Sequence, residues 1–477
     1  MSARIPTSRI VADLVNTLTG DTWSGDSTAE VVGTDPACPS PHRLADTSAA
    51  AIASFGREVA ALDEDRGAPA QRVSVSAAAA LDQLRAPFLA DLNGVAPHVL
   101  SDDPTLLGLN DFYPARDGWV FILSTYPHLR AAACRVLDCP PVAEAIRVKT
   151  RKWSAARLEE ALVAAGGVAA AARTTAQWAD HPVAQHLAPR PVVEIERIGD
   201  APPAPFPNRP PDADGSVWAP LAQLRVVDNT HVIAGPVATR LLAAFGADVL
   251  HTSTPDRPDP IGMLAITGGG KANAYADLRD RGTRSRLDAL VEAADVFVSS
   301  YRNVLSYGFG SVELAARHPG LIYAEMHGWG PDGPWADRGG FDQLACAATG
   351  FSIDEGNFRD GVDGRPALPP THLLNDYLAA YLAAAGITAA IRRRAAQGGS
   401  WRVRVNLARV CMWVQAWGKA SRLDPRSAMP EPSIGRHSVT GPLGTLTEPM
   451  IPLSFSQHST PQPGAPALLG TSDLAFR

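Results

Sequence analysis

The chain has 477 residues, enough for two or three domains with ample buried core. Its 45% hydrophobic and 19% charged residues make an ordinary globular composition and exclude a disordered chain. A net charge of −6 leaves no basic footprint for nucleic acid, so a polyanionic ligand would depend on local Arg, Lys or helix N-termini.

The opening MSARIPTSRIVADLVNTLTG has no continuous apolar core and no cleavage-like site, so no signal peptide is expected. No window approaches the roughly 18 uninterrupted apolar residues of a membrane helix, and no membrane association is expected. The five cysteines (Cys38, Cys134, Cys139, Cys346 and Cys411) form no CxxC pair and are odd in number. They read as small buried hydrophobes of a reducing compartment, which implies a cytoplasmic protein without a disulfide framework.

In chain order, residues 20–41 are rich in Gly, Asp, Ser and Pro and read as loop. A helix is predicted from Leu44 to about Leu62, then the alternating strand Arg72–Ser76, then a helix over AAAALDQLRAPFLA. A strand at Trp119–Ser124 leads to a helix beginning after Pro127, with further helices at 154–165 and 175–186 and a strand in PRPVVEIERI. The Pro-dense DAPPAPFPNRPPDADG is a stiff, non-helical linker, so the boundary is set at 215/216, between modules 1–215 and 216–477.

The second module opens with LRVVDNTHVIAGPVATRLLAAFGADVLHT, a strand, Gly-Pro turn, helix and strand. DLRDRGTRSRLDALVEAADVFVSSY repeats helix then strand, and HPGLIYAEMHGWG adds another strand. This alternation predicts an α/β protein with a Rossmann-like doubly wound parallel sheet and a second, smaller α+β domain. Ligands on such sheets sit beyond the strands' carboxyl ends, here Asp228–Pro236, His251–Thr254, Ser299–Arg302 and His327–Gly330. No GxGxxG follows the first strand and Thr267–Lys271 lacks P-loop spacing, so a classical dinucleotide or ATP site is not expected.

The stretch 364–408 reads as a Pro-bounded loop, a long Ala/Leu helix with Asp376 in its first turn, a Gly-Gly stop and a short strand. It has an echo near residue 46. Asp46 and Asp376 each precede a strand residue, Val73 and Val403, by 27 positions, and His42, Leu44 and Gly56 match His372, Leu374 and Gly386. The agreement at both flanks predicts a duplicated helix–strand unit. The first module lacks a nucleotide half before its copy, so it reads as a truncated, non-catalytic partner with Asp46 as a helix cap.

The second module resembles the family III CoA-transferases, the group of formyl-CoA and carnitine CoA-transferases and alpha-methylacyl-CoA racemase. The resemblance rests on five stretches in order: LRVVDNTHVIAGPVATRLLAAFGADVLH, GGGKANAYADL, ADVFVSSYRNVLSYGFG, PGLIYAEMHGWGPDGPWADRGGFDQLACAATG and LPPTHLLNDYLAAYLAAAGITAAIRRRAAQGGSWRVRVNLA. DGWVFILSTYPHLRAAACRVLDCP and RTTAQWADHP are similar to the family's small domain, which here precedes the Rossmann-like half, so the order looks permuted.

The resemblance implies CoA transfer from an acyl-CoA to a small carboxylic acid through an aspartyl anhydride, with Asp376 at the nucleophile position and Asp342 where a supporting Glu occurs. It also implies CoA contacts at His231, Val232, Ile233, Ala234 and Gly235, phosphate contacts at Lys271 and Arg302, and adenine stacking on Tyr301. Coenzyme A would be a substrate, with no permanently bound cofactor and no metal, and the family implies an interlocked homodimer. Ile233, Ser253 and Ser306 depart from the formyl-CoA transferase pattern. The racemase branch has a His before the Asp342 position, where this chain has Phe341, so transfer is preferred over α-proton abstraction. A CoA-binding protein without catalysis is the remaining alternative.

Overall fold

The computed structural model describes residues 5–20, 26–33, 36, 38–100, 107–207, 217–359, 364–420 and 424–477. Its centre is a seven-stranded sheet in the spatial order Ala272–Tyr275, Asp248–Ser253, Arg225–Asn229, Val296–Ser299, Ile322–His327, Ser400–Asn406 and Glu194–Gly199. The first six strands run parallel, and Glu194–Gly199 closes the edge antiparallel to Ser400–Asn406. Crossover helices such as Ala234–Ala244, Arg281–Glu292 and Ser311–Arg317 cover both faces. The central strands are therefore continuous apolar runs: all four residues of Val296–Ser299 are buried. The chain turns outward in both directions from Arg225–Asn229, so the switch point lies between that strand and Val296–Ser299. This is the doubly wound architecture expected from the alternating pattern.

Against this sheet lies the long helix Asn375–Gln397, packed along its length on Leu44–Asp65. The two are built alike, since Ala-rich, almost wholly buried helices allow close approach. A Cβ on Gly386 would stand 2.6 Å from Val403 Cγ1, and one on Gly56 would stand 2.7 Å from Val73 Cγ1. Each helix thus needs a glycine where it crosses its own following strand.

The duplication extends further than the echo in the sequence. Thr28–Val32 pairs parallel with Arg72–Ser76, which pairs antiparallel with Leu453–Phe455. The same arrangement relates Ile322–His327, Ser400–Asn406 and Glu194–Gly199 in the large sheet. Each module's edge strand comes from the other side of the linker, so a cut at 215/216 passes through both sheets.

Several local expectations change. Residues 20–41, read as loop, contain the strand Thr28–Val32, whose alternating half-exposed pattern gives little apolar signal. The opening residues form the helix Thr7–Thr19, burying Ile10, Val11, Leu14 and Leu18 along one face. The helix expected over 175–186 divides into Thr175–Ala179 and Pro182–Leu187, because Pro182 can start a helix but not continue one. Pro87 likewise opens a separate turn, Ala86–Leu89, after Ala77–Leu84. The linker expected over DAPPAPFPNRPPDADG falls partly outside the described residues.

The smaller unit has the strands Asp111–Pro114, Trp119–Leu123 and Val168–Ala171 with the helices Pro127–Leu137, Ala143–Thr150 and Ala155–Ala164. It matches the expected small α+β domain. Of the cysteines, Cys38, Cys346 and Cys411 are buried, whereas Cys134 and Cys139 are half-buried, and none of the five is in a disulfide among the described residues. Among the described residues no helix is long and apolar enough to cross a membrane.

Candidate active site

A cavity of about 720 Å³ opens at the carboxyl ends of the parallel strands, between the Rossmann-like half and the smaller domain. Asn229, His231 and Val232 from the first strand's end and Ser300 and Tyr301 from the fourth's line it at the switch point. Tyr126, His128, Leu129 and Val168 of the smaller domain form the opposite wall. Asp376 lies on the lining.

Asp376 occupies the first turn of Asn375–Gln397 and is only 7% exposed. Its carboxylate accepts no hydrogen bond among the described residues. Burial, with the neighbouring Asp342 charge, pushes its carboxyl well above the ordinary range. Asp342 is also buried, but its Oδ2 accepts the amide N–H groups of Leu374 and Asp376, each at 2.9 Å. The Asp342 carboxyl is raised by burial, against which these amides work. Of the two carboxylates, Asp342 is the one provided with donors, and Asp376 is the one left bare towards the cavity.

Asp342 reaches from the start of Asp342–Ala348 to cap a different helix, the one carrying Asp376. Asn375 joins the same assembly, its Nδ2 donating to the Asp342 carbonyl at 3.2 Å and its Oδ1 lying 3.2 Å from Cys411 Sγ. Gly328 and Gly340 pack backbone to backbone, leaving no room for a Cβ on either. That contact brings Phe341 and Asp342 up to the end of strand Ile322–His327.

The counterpart in the first module is closed. Asp46 receives Thr7 Oγ1 at 2.6 Å and Arg43 Nε at 2.8 Å, and it lies outside the cavity lining. It was expected to cap its helix; instead it is ion-paired with the residue at the N-cap position, and its helix has no side-chain cap.

The turn after the first strand is held from two sides. The His231 amide donates to Ser300 Oγ at 3.1 Å, and the His231 ring stacks on Tyr301 with centroids 4.4 Å apart. Burial keeps that imidazole towards its neutral form. Val232 has φ +70°, in the left-handed region, and its amide donates to Asp259 Oδ2 at 3.0 Å. Ala234 and Gly235 then begin the helix Ala234–Ala244, and both line the cavity. Ile233, expected among the CoA contacts, points into the main hydrophobic core instead.

Lys271 departs furthest from its expected place. It is 2% exposed, and its ammonium donates to Asp228 Oδ2 at 2.9 Å, the Pro236 carbonyl at 2.7 Å and Thr239 Oγ1 at 3.0 Å. Three internal bonds fix it beneath the turn, so it belongs to the frame and not to a phosphate subsite. Burial alone would raise the Asp228 carboxyl, but Lys271 and His251 hold it far below the usual range. Tyr301 lines the cavity with one ring face covered by His231, which leaves at most the other for a base. Arg302 lines the cavity and is exposed, donating to the Asp337 carbonyl.

Sequence reasoning passed over Tyr126, Arg257 and Asp259, all on the lining. Asp259 and Tyr126 each stand immediately before a proline that opens a helix or its cap, a local signal easily taken as punctuation alone. Arg257 adds positive charge to the rim, whereas the charge of Arg279 is taken up by Asp256 and Asp277 at 2.9 and 2.8 Å. Among the described residues no group of three or more His, Cys, Asp or Glu is arranged to hold a metal ion.

The family model described as CoA-transferase family III matches residues 24–204 and 221–446. An acetyl-coenzyme A transferase, nodX, of Hypoxylon pulicicidum is 34% identical over 210 residues, covering 43% of this chain and 35% of that protein. An acyl-CoA transferase of Gibberella moniliformis is 31% identical over 281 residues, covering 55% and 47%. The alpha subunit of a succinyl-CoA–L-malate CoA-transferase of Chloroflexus aurantiacus is 29% identical over 228 residues, covering 43% and 49%. The chain therefore spans between about a third and a half of the length of these curated relatives. Among solved structures, the Rv3272 protein of Mycobacterium tuberculosis in its orthorhombic form aligns with 28% identity over 42% of this chain and 57% of that one, with a TM-score of 0.39.

Proposed function

The chain belongs to CoA-transferase family III, and on that premise we propose that it moves coenzyme A from an acyl-CoA to a carboxylic acid through an anhydride on Asp376. One observation carries this reading. Asp376 is a buried carboxylate without a hydrogen-bond donor on its side chain, opening on a cavity large enough for a thioester arm. Such a group is poorly solvated and therefore a strong nucleophile once ionised.

In this scheme the Asp376 carboxylate attacks the thioester carbonyl, the C–S bond breaks and CoA leaves as thiolate. The thiolate returns to the aspartyl carbonyl, releasing the donor's carboxylate and leaving an aspartyl thioester. The acceptor carboxylate displaces the thiolate to give a second anhydride, and thiolate attack on the acceptor's carbonyl then releases the new acyl-CoA and restores Asp376. Each tetrahedral intermediate carries an oxyanion. The amides of Ala234 and Gly235, at the uncapped N-terminus of their helix, are suited to receive it. Arg257 and Arg302 on the lining suit the CoA phosphates.

Acyl-CoA is the substrate here, and no permanently bound cofactor or metal enters the scheme. One chain supplies both walls of the cavity, so a homodimer would assemble complete sites instead of completing them. α-Proton exchange is the weaker reading, because the residue before Asp342 is Phe341, an apolar ring on the lining that cannot move a proton. Intact-protein mass after incubation with acetyl-CoA or succinyl-CoA and hydroxylamine tests the proposal. An aspartyl hydroxamate on the wild type and none on Asp376→Ala is the expected result. CoA binding without any adduct across an acyl-CoA panel would favour a non-catalytic binder.

A further inference from the structure

The strained turn of the site is fastened by a residue from the other domain. Val232 is β-branched, and an L side chain at φ +70° costs about 1–3 kcal/mol unless its surroundings impose it. The Val232 amide is held by Asp259, in the connection after the second strand, whose Oδ2 accepts it at 3.0 Å. Its other oxygen, Oδ1, accepts the phenolic O–H of Tyr126 at 2.9 Å. Tyr126 stands just before Pro127, at the N-cap of the smaller domain's helix Pro127–Leu137. Domain, carboxylate and turn therefore form one chain of contacts: Tyr126 O–H to Asp259, Asp259 to Val232 N–H, and Val232 to the first amides of helix Ala234–Ala244.

We infer that Tyr126 and Asp259 are positioning residues that couple the seating of the smaller domain to the geometry of the Val232–Gly235 turn. The inference rests on the reading of that turn as the place where the thioester oxygen is received. Tyr126 O–H donates to the carboxylate, so Asp259 keeps its orientation with one oxygen for each partner. Burial and the adjacent Asp259 charge push the Tyr126 phenol well up, so it stays a donor at any working pH. Without the phenolic donor, Asp259 is free to rotate, Val232 relaxes towards negative φ, and the amides of Ala234 and Gly235 swing away from the reacting carbonyl. A misplacement of about 1 Å at such a site is enough for a loss of about a hundredfold.

The test uses Tyr126→Phe, which removes only the hydroxyl, in two backgrounds. In the otherwise wild-type chain kcat is expected to fall about 10- to 100-fold, with KM for the acyl-CoA little changed. In a Val232→Gly background, where positive φ needs no external hold, the same substitution should cost much less. Hydrogen–deuterium exchange of peptides spanning 230–236 supplies a readout independent of turnover, and Tyr126→Phe should speed exchange there. Wild-type kcat in Tyr126→Phe, a loss confined to KM, an equal loss in both backgrounds, or unchanged exchange over 230–236 would each overturn the inference. If the wild type itself gives no adduct or turnover, the reading of the reaction fails, while the exchange experiment still decides whether Tyr126 holds the turn.

Discussion

Asp342 offers a quantitative check on how the two carboxylates divide their work. Its Oδ2 receives the amides of Leu374 and Asp376 at 2.9 Å each, both buried. Asp342→Ala strands two buried donors at about 1–3 kcal/mol apiece, partly offset by relief of the repulsion with Asp376. A net local loss of about 2–4 kcal/mol is expected at the start of helix Asn375–Gln397, equivalent to exchange of its first-turn amides faster by about 30- to 1000-fold. Asp342→Asn keeps an amide oxygen as acceptor and should lose much less.

The two variants also separate the electrostatics from the cap. Removing the Asp342 charge lets the Asp376 carboxyl fall back towards its ordinary range, since that charge is one of the two causes of its elevation. The acid limb of kcat/KM against pH should therefore move to lower pH in Asp342→Asn, with burial alone still holding it above the ordinary carboxylate range. Hydrogen–deuterium exchange over residues 373–380, read with the pH–rate profile, checks both claims. Equal exchange in the Ala and Asn variants would refute the capping role, and an acid limb that stays put or rises would refute the coupling.

Lys271→Met removes the buried partner of Asp228 and should destabilise the fold by about 3–5 kcal/mol, seen as a fall in thermal midpoint. A stable Lys271→Met protein that had lost only CoA affinity would return Lys271 to the phosphate subsite. Gly386→Ala and Gly56→Ala should each cost about 1–3 kcal/mol in spite of better helix propensity, because the added methyl meets Val403 or Val73 beneath it; unchanged denaturation midpoints would show that the helices are free to shift. The Asp376 carboxyl has a folded pKa above its unfolded one, so the ionised form is the destabilising one. Its stability contribution is complete below the unfolded value of about 3.9 and falls as pH rises towards the folded value. Asp376→Asn should accordingly raise the thermal midpoint at neutral pH, with the gain fading in acid, and a lower midpoint at neutral pH would contradict the assigned burial.

Much of this architecture is written locally. The parallel sheet was legible because its strands are fully buried apolar runs separated by helices. The long Ala-rich helix with Asp376 in its first turn was legible too, but that position alone reads as a cap, and only the family resemblance singled Asp376 out. The equal spacing from Asp46 to Val73 and from Asp376 to Val403 announced the duplication. What escaped the sequence depends on distant partners. Thr28–Val32 becomes a strand only because Arg72–Ser76 lies beside it, and Glu194–Gly199 and Leu453–Phe455 exchange places between sheets. The resemblance implied a phosphate contact at Lys271, and nothing in its loop shows that Asp228, from a strand outside it, claims the ammonium. The Asp342 cap reaches a helix more than thirty residues away, and no pattern within either segment marks it.

The most direct test of Asp376 as the acyl carrier follows the oxygen atoms. With an acyl-CoA and a carboxylate that support turnover, the acceptor acid is supplied with heavy oxygen in its carboxylate, and the peptide containing Asp376 is sequenced by mass spectrometry after turnover. An anhydride at Asp376 requires one acceptor oxygen to remain on that side chain at the end of each cycle, so the label should appear on Asp376 and on no other carboxylate. Turnover that leaves Asp376 unlabelled would mean that the acids exchange coenzyme A without passing through it.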